Sequence, residues 1–329
     1  MAKPVVHPAL ADTVTYVSGR SAGLSTFLVI GCLLAATAVR PRWPLAFLLA
    51  FLAPLARETA LVAPVLLLAW QLCLGRSDGS ALALRRALPV WLGALAAMMV
   101  IAAMARHREL VAFSLDQRAP LDAIRANLFA IPEILWLWLA PSRISILPTQ
   151  PVIHGWADQL TLFRLIGLAI LPLLAVALRR RAPMVALAIL WTLLALMPTN
   201  SVIWRVEPVA TRPLYLAGIG LSLLTAVALS RVPVGHWLAL VLASGLAVAS
   251  WQRATLYQDE VALFADAAER SPDNARAHLM YGLVLSNAGR SEEARLALET
   301  ALVIDPYLPG AENALRLLDA GADVYSAPP

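Results

Sequence analysis

The chain has 329 residues, a formal net charge of +5, 60% hydrophobic residues and 14% charged residues. Soluble domains usually carry about 25% charged residues, so this composition excludes a purely soluble globule and indicates that lipid surrounds most of the chain. The arginines lie mainly in short segments between apolar runs, which argues against nucleic acid as a partner. Cys32 and Cys73 each lie inside an apolar run, so we predict neither a disulfide framework nor a zinc site.

Apolar runs follow one another through most of the chain. A membrane helix needs about 20 apolar residues, with about 17 as the lower limit. The runs that reach or approach this length cover residues 22–39, 44–56, 59–74, 87–105, 162–178, 182–197, 213–230 and 234–250. We therefore predict an all-α fold, in which a polytopic helical membrane domain of about eight spans (1–250) precedes a short soluble domain (251–329).

The arginines predict how these spans cross the membrane. If the N-terminus is outside and the spans alternate, the inside loops carry Arg40 and Arg42, then Arg76, Arg85 and Arg86, then Arg179, Arg180 and Arg181, and finally Arg231. This clustering follows the positive-inside rule. The apolar segment 126–140 is then expected to be a re-entrant or interfacial helix on the outer face, because one crossing there would reverse the sidedness of the later loops. The expected location is the bacterial inner membrane, with the N-terminus and residues 251–329 extracytoplasmic.

The soluble tail shows a repeat of 34 residues. Phe264, Ala267 and Pro272 recur as Leu298, Ala301 and Pro306. This is the period of the tetratricopeptide repeat, so we predict one full repeat at 275–308, with two antiparallel helices meeting near Gly289. A half repeat at 251–272 and a capping helix at 310–320 complete the prediction. Because isolated repeats are marginally stable, we expect this unit to rest on the membrane domain or on a partner.

A few ionisable side chains lie at the ends of the predicted spans. Arg57 and Glu58 form the tip between two short apolar runs, where ionisable residues suggest function, although mutual pairing or helix capping explains them equally well. Arg212 and Tyr215 begin another span. An arginine at a helix start opposes the helix dipole; a bound phosphate would compensate it, and an interfacial anchor is the alternative. His7 stands alone before a proline, without metal-ligand spacing.

Several stretches, in this order, resemble one family. They are His7-Pro8 with Asp12 and Gly19-Arg20-Ser21, then Arg57-Glu58-Thr59-Ala60, Pro198-Thr199-Asn200 and Arg212-Pro213-Leu214-Tyr215-Leu216, and finally Trp251, Asp259 and Pro272 leading into the repeat. Together they resemble the transmembrane-and-tetratricopeptide-repeat proteins of the protein O-mannosyltransferase type, which belong to the C-type glycosyltransferase superfamily. The resemblance covers essentially the whole chain.

The resemblance implies transfer of a sugar from a polyprenyl-phosphate donor to a protein or glycan hydroxyl on the extracytoplasmic side. An acidic residue deprotonates the acceptor, and cationic side chains hold the departing phosphate. A divalent metal ion is the one cofactor left open. The residues implied are Asp12 and Glu58 as catalytic groups, Arg20, Arg57 and Arg212 as donor-phosphate ligands, and His7 and Tyr215 as further site candidates.

The chain also departs from the family. Members carry a membrane helix and an acidic outer loop upstream of the His-Pro pair, whereas six residues precede His7 here. Thr211 stands where the family often has an acid. We therefore expect this chain alone to transfer no sugar while still binding the lipid donor. The alternative function is a non-catalytic membrane scaffold that recruits a protein partner through its repeat.

Overall fold

The computed structural model describes residues 7–15, 19–75, 80–105, 108–109, 112, 120–150, 155–156, 158–198 and 209–320. Within these residues all regular secondary structure is helical, which confirms the all-α part of the predicted fold. The α-helices are α1 (Ala11–Thr15), α2 (Arg20–Thr37), α3 (Trp43–Ala56), α4 (Ala63–Leu74), α5 (Ser80–Ala103), α6 (Pro120–Leu139), α7 (Gln159–Leu178), α8 (Pro183–Leu196), α9 (Leu214–Leu229), α10 (Gly235–Leu256), α11 (Glu260–Arg270), α12 (Ala275–Asn287), α13 (Ser291–Ile304) and α14 (Ala311–Asp319). Short 3-10 helices cover Pro8–Leu10, Glu58–Val62 and Pro141–Arg143.

Each predicted apolar run lies in a helix, and prolines set several of the helix starts. Pro44, Pro64 and Pro183 occupy the first turns of α3, α4 and α8. Proline is favoured there because its missing N–H would have no partner within the helix. The segment predicted at 126–140 forms a longer helix, α6, which begins at Pro120.

Two of these helices are long and apolar enough to cross a membrane, namely α2 and α7. α7 is mostly exposed, with Phe163 at 71% and Leu173 at 69% of their free surface, so its apolar side chains face outward. The helices α3, α8 and α9, and the apolar stretches Glu58–Leu74 and Ala87–Ala103, are shorter. The number of membrane crossings therefore stays a prediction.

The apolar helices pack closely through small residues. α2 packs on α3, α3 on α5, α4 on α8, and α8 on α9. A Cβ added to Gly93 would lie 2.5 Å from the carbonyl oxygen of Phe47. A Cβ added to Gly220 would likewise lie 2.6 Å from the carbonyl oxygen of Ala188. The indole N–H of Trp191 donates a 2.9 Å hydrogen bond to the carbonyl of Leu216. Small residues that allow close approach, with hydrogen bonds between helices, are typical of helix packing in lipid.

The bundle has two distinct ends. α2 runs from Arg20 to the turn at Arg40, and α3 packs against α2 and returns to Arg57. We call these the Arg57 end and the Arg40 end. α4 then runs away from the Arg57 end, and Cys73 near its last residue interacts electrostatically with Arg179, which directly follows α7. The predicted inner arginines at 40, 42 and 179 thus share the Arg40 end.

The C-terminal helices form a hairpin and a third packed helix. α12 and α13 pack against each other, and Gly289 between them has a φ of 76°, a backbone conformation that favours glycine. A Cβ on Gly282 would lie 2.8 Å from Cγ of Leu298, so the two helices are in close contact. α14 packs on α13 in the position of the predicted capping helix. The predicted domain boundary after residue 250 falls inside α10, which continues to Leu256.

The turn between α11 and α12 rests on the segment 141–150. The side-chain amide of Asn274 donates to the carbonyls of Leu147 at 3.2 Å and Pro148 at 3.0 Å. The Arg270 guanidinium donates to the carbonyl of Ser142. These contacts agree with the expectation that the hairpin rests on the preceding part of the chain.

Candidate functional site

The tip at Arg57 and Glu58 is an interruption between two helices. Arg57 has extended backbone (φ −163°, ψ 124°) and its N–H closes α3 by donating to the carbonyl of Ala53 at 3.1 Å. The 3-10 helix Glu58–Val62 follows and leads into α4. The Arg57 side chain is half-buried and that of Glu58 is exposed. The interruption therefore places an exposed carboxylate, Glu58, next in sequence to a half-buried cation, Arg57.

Arg57 lies in the electrostatic field of Arg212. Burial lowers the pKa of the Arg57 guanidinium, the charge of Glu58 raises it in part, and the charge of Arg212 lowers it further. An arginine stays protonated at neutral pH, so Arg57 keeps a partly buried positive charge that is influenced by one carboxylate and by a second cation.

Arg212 is positioned by the segment that precedes α9. The backbone N–H of Val209 donates to Oε1 of Gln150 at 3.0 Å, and Nε2 of Gln150 donates to the carbonyl of Val209 at 3.4 Å. The carbonyl of Arg212 accepts from the N–H of Tyr215 at 3.2 Å, so both residues belong to the first turn of the helix start. Gln150 is a supporting residue that sequence reasoning missed, since it lies 59 residues from its partner.

His7 has both ring nitrogens engaged. Nδ1 accepts from the N–H of Ala9 at 3.2 Å, so Nε2 carries the proton and donates to the carbonyl of Trp138 at 3.0 Å. The imidazole also stacks on the indole of Trp138, with ring centres 3.9 Å apart and an interplanar angle of 1°. Burial lowers the pKa of His7, and its hydrogen bond to Trp138 opposes this only in part. This geometry fits a structural histidine that caps the 3-10 helix Pro8–Leu10.

Trp138 links the N-terminal segment to α9. A Cβ on Gly218 would lie 2.7 Å from Cζ3 of Trp138, so the indole is in direct contact with the helix that Arg212 precedes. The 3-10 helix Pro8–Leu10 packs on α9 and α10. Trp138 is half-buried between these elements, whereas Trp136 of the same helix is exposed.

The remaining predicted residues lie in the N-terminal part of the sequence and between α8 and α9. Asp12 is in α1, which packs on α2 and α10; its side chain lies outside the described residues. Arg20 begins α2 at the Arg57 end, and its side chain is exposed. Thr199 and Asn200 also lie outside the described residues. In the described part of the chain, no group of three or more His, Cys, Asp or Glu residues is arranged to hold a metal ion.

A separate polar cluster joins α6 to α7. Arg164 donates to Oε1 of Glu133 at 3.1 Å and to the carbonyl of Phe129 at 2.8 Å, with its guanidinium 4.6 Å from the Phe129 ring centre. Arg125 pairs with Asp122 at 2.8 Å. These charges have their partners close by, so the cluster fits a structural role better than a ligand site.

We compared the chain with known proteins. No protein-family profile matches it, and no solved structure matches it. It is 28% identical over 204 residues to the human protein named protein O-mannosyl-transferase TMTC1. The match covers 56% of this chain and 23% of the human protein, so the chain spans about a quarter of that relative's length. Over a little more than half of its residues, the chain is therefore similar to a human O-mannosyl-transferase, in line with the resemblance that its motifs carry.

Proposed function

We propose that this chain is a membrane protein of glycosyltransferase type, and that Arg57 and Arg212 bind the phosphate of a polyprenyl-phosphate sugar. The observation that carries the proposal is that the charge of Arg212 acts on the guanidinium of Arg57, which lies at one end of the bundle. They come from segments about 150 residues apart in sequence, and both are half-buried.

A phosphate fits this pair physically. Two neighbouring guanidiniums repel each other, and Glu58 supplies one negative charge to the two positive ones. Guanidinium groups bind phosphate oxygens through paired, charge-assisted hydrogen bonds. Partial burial strengthens such bonds because less water competes for the charges. The similarity to an O-mannosyl-transferase supports a phosphate that belongs to a lipid-linked sugar.

The positions of the arginines along the bundle support an extracytoplasmic location for the proposed site. Arg40, Arg42 and Arg179 share the Arg40 end, which the positive-inside rule assigns to the cytoplasmic side. The Arg57 end then faces the extracytoplasmic side, and α10 carries the C-terminal helices to the same end. Two helices of membrane-spanning length support the membrane location.

The proposed chemistry is inverting sugar transfer. A carboxylate takes the proton of the acceptor hydroxyl, the oxygen bonds to the anomeric carbon, and the bond from that carbon to the phosphate oxygen breaks. The bonding electrons leave with the polyprenyl phosphate, whose charge Arg57 and Arg212 stabilise. Glu58, exposed beside Arg57, is the candidate base; Asp12 is the other, by the family resemblance. Arg20 at the start of α2 is a third phosphate ligand by the same resemblance.

The C-terminal helices suit a tetratricopeptide-type unit that binds protein. α12 and α13 have the lengths, the short turn and the close glycine contact expected for one repeat. On α13, Leu296 and Val303 are 63% and 82% exposed, and Tyr307, just after this helix, is 92% exposed. Exposed apolar side chains that recur along one helix fit a surface that a protein acceptor or partner covers.

Donor binding tests the proposal. The purified protein in detergent is titrated with polyprenyl phosphate, and intrinsic tryptophan fluorescence reports binding. Arg57→Gln and Arg212→Gln should each weaken binding by about tenfold or more, since a hydrogen bond to a charged group contributes about 1.5–3 kcal/mol. Arg231→Gln, at an exposed arginine beyond the far end of α9, is the matched control. Equal weakening in the control, or no binding by the parent protein, would remove the phosphate site.

Turnover is tested separately with polyprenyl-phosphate mannose and a peptide acceptor. Donor binding combined with transfer that Glu58→Gln or Asp12→Asn abolishes would assign the base. Donor binding without transfer in any variant is the result expected for this chain alone, and it would describe a lipid-binding protein without glycosyltransferase activity. Peptide binding to the C-terminal helices with no donor binding would favour the scaffold function.

A further inference from the structure

The Arg40 end carries a cavity between α2 and α3. It has a volume of about 820 Å³, within the range of about 300–1,000 Å³ that is usual for small-ligand sites. The walls come from apolar side chains of both helices, and two arginines of the turn stand at one end. The residues that matter here are Gly31, Ala35, Leu45, Leu49, Arg40 and Arg42.

The turn that carries these arginines is fixed. The N–H of Arg42 donates to the carbonyl of Ala35 at 2.9 Å, which ties the turn to the last part of α2. Arg40 and Arg42 are both exposed. In the described part of the chain, neither forms a salt bridge with a carboxylate, so no internal carboxylate would compete with an acidic ligand for these guanidiniums.

From Arg40 and Arg42, the apolar walls of the cavity extend along α2 and α3. Leu34, which also lines the cavity, is 66% exposed, and Leu45 is 40% exposed. A ligand that fills the space must therefore be charged at one end and apolar along its length. A free phosphate would leave the apolar wall uncovered, and an apolar molecule would leave both arginines without an anion.

We propose that this cavity binds an anionic phospholipid, with its phosphate on Arg40 and Arg42 and one acyl chain between α2 and α3. This inference rests on the membrane location under the proposed function but on none of the residues of the sugar-donor site. Basic side chains beside apolar helices on the cytoplasmic side attract anionic head groups. The ligand is a membrane lipid at the end of the bundle opposite to Arg57, so it is distinct from the donor.

The test counts bound lipids. The detergent-solubilised protein is mixed with phosphatidylglycerol or with phosphatidylcholine of the same acyl chains, and native mass spectrometry measures the retained adducts. One phosphatidylglycerol should be retained selectively. In the double variant Arg40→Gln/Arg42→Gln its affinity should fall by roughly 30-fold, from about 1 kcal/mol for each basic residue. Arg180→Gln/Arg181→Gln, an exposed arginine pair after α7, is the matched control and should retain the lipid.

A second variant tests the acyl-chain part of the cavity. Gly31 lines the cavity nine residues before Arg40, and a Cβ on it would lie 3.3 Å from Cδ1 of Leu49, so Gly31→Leu should obstruct the acyl-chain part of the cavity without removing either arginine. It should lose the selective lipid. Glycerol phosphate, which has the head group without chains, should not compete with phosphatidylglycerol.

Three results would overturn this inference: equal retention of the two lipids, which indicates ordinary annular lipid; equal loss in the control arginine pair; or full competition by glycerol phosphate, which indicates an anion site alone. Flotation with liposomes separates these failures from a failure of the membrane location. A protein that does not float with liposomes contradicts both proposals, whereas one that floats without selective lipid contradicts only this one.

Discussion

The imidazole of His7 lies flat on the indole of Trp138, and its Nε2–H donates to the carbonyl of the same residue. The two residues are 131 positions apart. This pair fixes the start of the described chain against α6 and, through Gly218, against α9. The N-terminal segment that the family resemblance assigns to catalysis is therefore held beside the helix that Arg212 precedes.

The His7 contact predicts a stability that depends on pH. The neutral imidazole satisfies both hydrogen bonds, whereas a proton on Nδ1 would face the N–H of Ala9. The folded pKa of His7 lies below the ordinary value of 6.5, so the unfolded chain binds more protons and stability falls with acidity. The contribution is complete above about pH 6.5 and is lost as the pH falls through the lowered folded pKa.

Thermal unfolding in detergent between pH 7.5 and 5.5 checks this. His7→Phe keeps a stacked ring without a titrating group, so its Tm should depend less on pH than that of the parent protein. His236→Phe, at an exposed histidine of α10, should keep the parental slope. Identical slopes in all three proteins would contradict the structural role of His7.

A second prediction concerns the contact of Trp138 with α9. Gly218→Leu places a side chain where the indole lies, since even a Cβ would come within 2.7 Å of it. Overpacking of this kind typically costs about 1–3 kcal/mol. We expect a lower Tm and weaker donor binding, because the start of α9 carries Arg212. Gly167→Leu in α7, where a Cβ meets nothing within 4 Å, is the control. A Gly218→Leu variant with parental Tm would show that the contact is dispensable.

The C-terminal hairpin gives a third prediction. Gly282→Leu must displace Leu298, which is fully buried, or the carbonyl of Ala294 at 3.1 Å. We expect destabilisation by about 1–3 kcal/mol and faster cleavage of the tail by protease. Glu299→Leu adds the same side chain at an exposed position of α13 and should leave cleavage unchanged. Unchanged protease resistance in Gly282→Leu would argue against this packing.

Topology can be tested by cysteine labelling. With Cys32 and Cys73 replaced by alanine, Arg290→Cys should react with a membrane-impermeant maleimide on intact cells, because the hairpin is predicted to be extracytoplasmic. Arg231→Cys should react only after lysis. Labelling of residue 290 only after lysis would reverse the assigned sides.

The sequence predicted helices well and long-range contacts poorly, and the reason is physical. Apolar runs require internally hydrogen-bonded backbone whether lipid or protein surrounds them, and prolines mark the helix starts, so α3 and α8 could be located from local pattern alone. The charge of Arg212 acts on Arg57, as expected if both lie at the outer ends of spans, and a shared site of the two arginines stays a prediction. No local pattern indicates that Gln150 binds Val209 or that His7 stacks on Trp138, since each contact depends on how distant segments fold together.

The end of α10 was also missed for a local reason. The apolar pattern stops near residue 250, but Trp251, Gln252 and Arg253 continue the helix to Leu256. Arg253 is buried there and pairs with Asp266 of α11 at 2.8 Å. A change of solvent along a chain therefore need not coincide with a change of secondary structure.

The segment 141–150 is hydrogen-bonded both to the C-terminal hairpin and to the residues that precede Arg212. The side chain of Asn274 donates to the carbonyls of Leu147 and Pro148. Two residues later, the side chain of Gln150 is hydrogen-bonded to the backbone of Val209, three residues before Arg212. A partner that displaces the C-terminal hairpin is therefore expected to disturb the segment before the arginine that is proposed to hold phosphate. If the two proposed sites are coupled through this segment, the coupling must be reciprocal: a partner on the hairpin would change the affinity for the lipid donor, and a bound donor would change the affinity for the partner by the same factor.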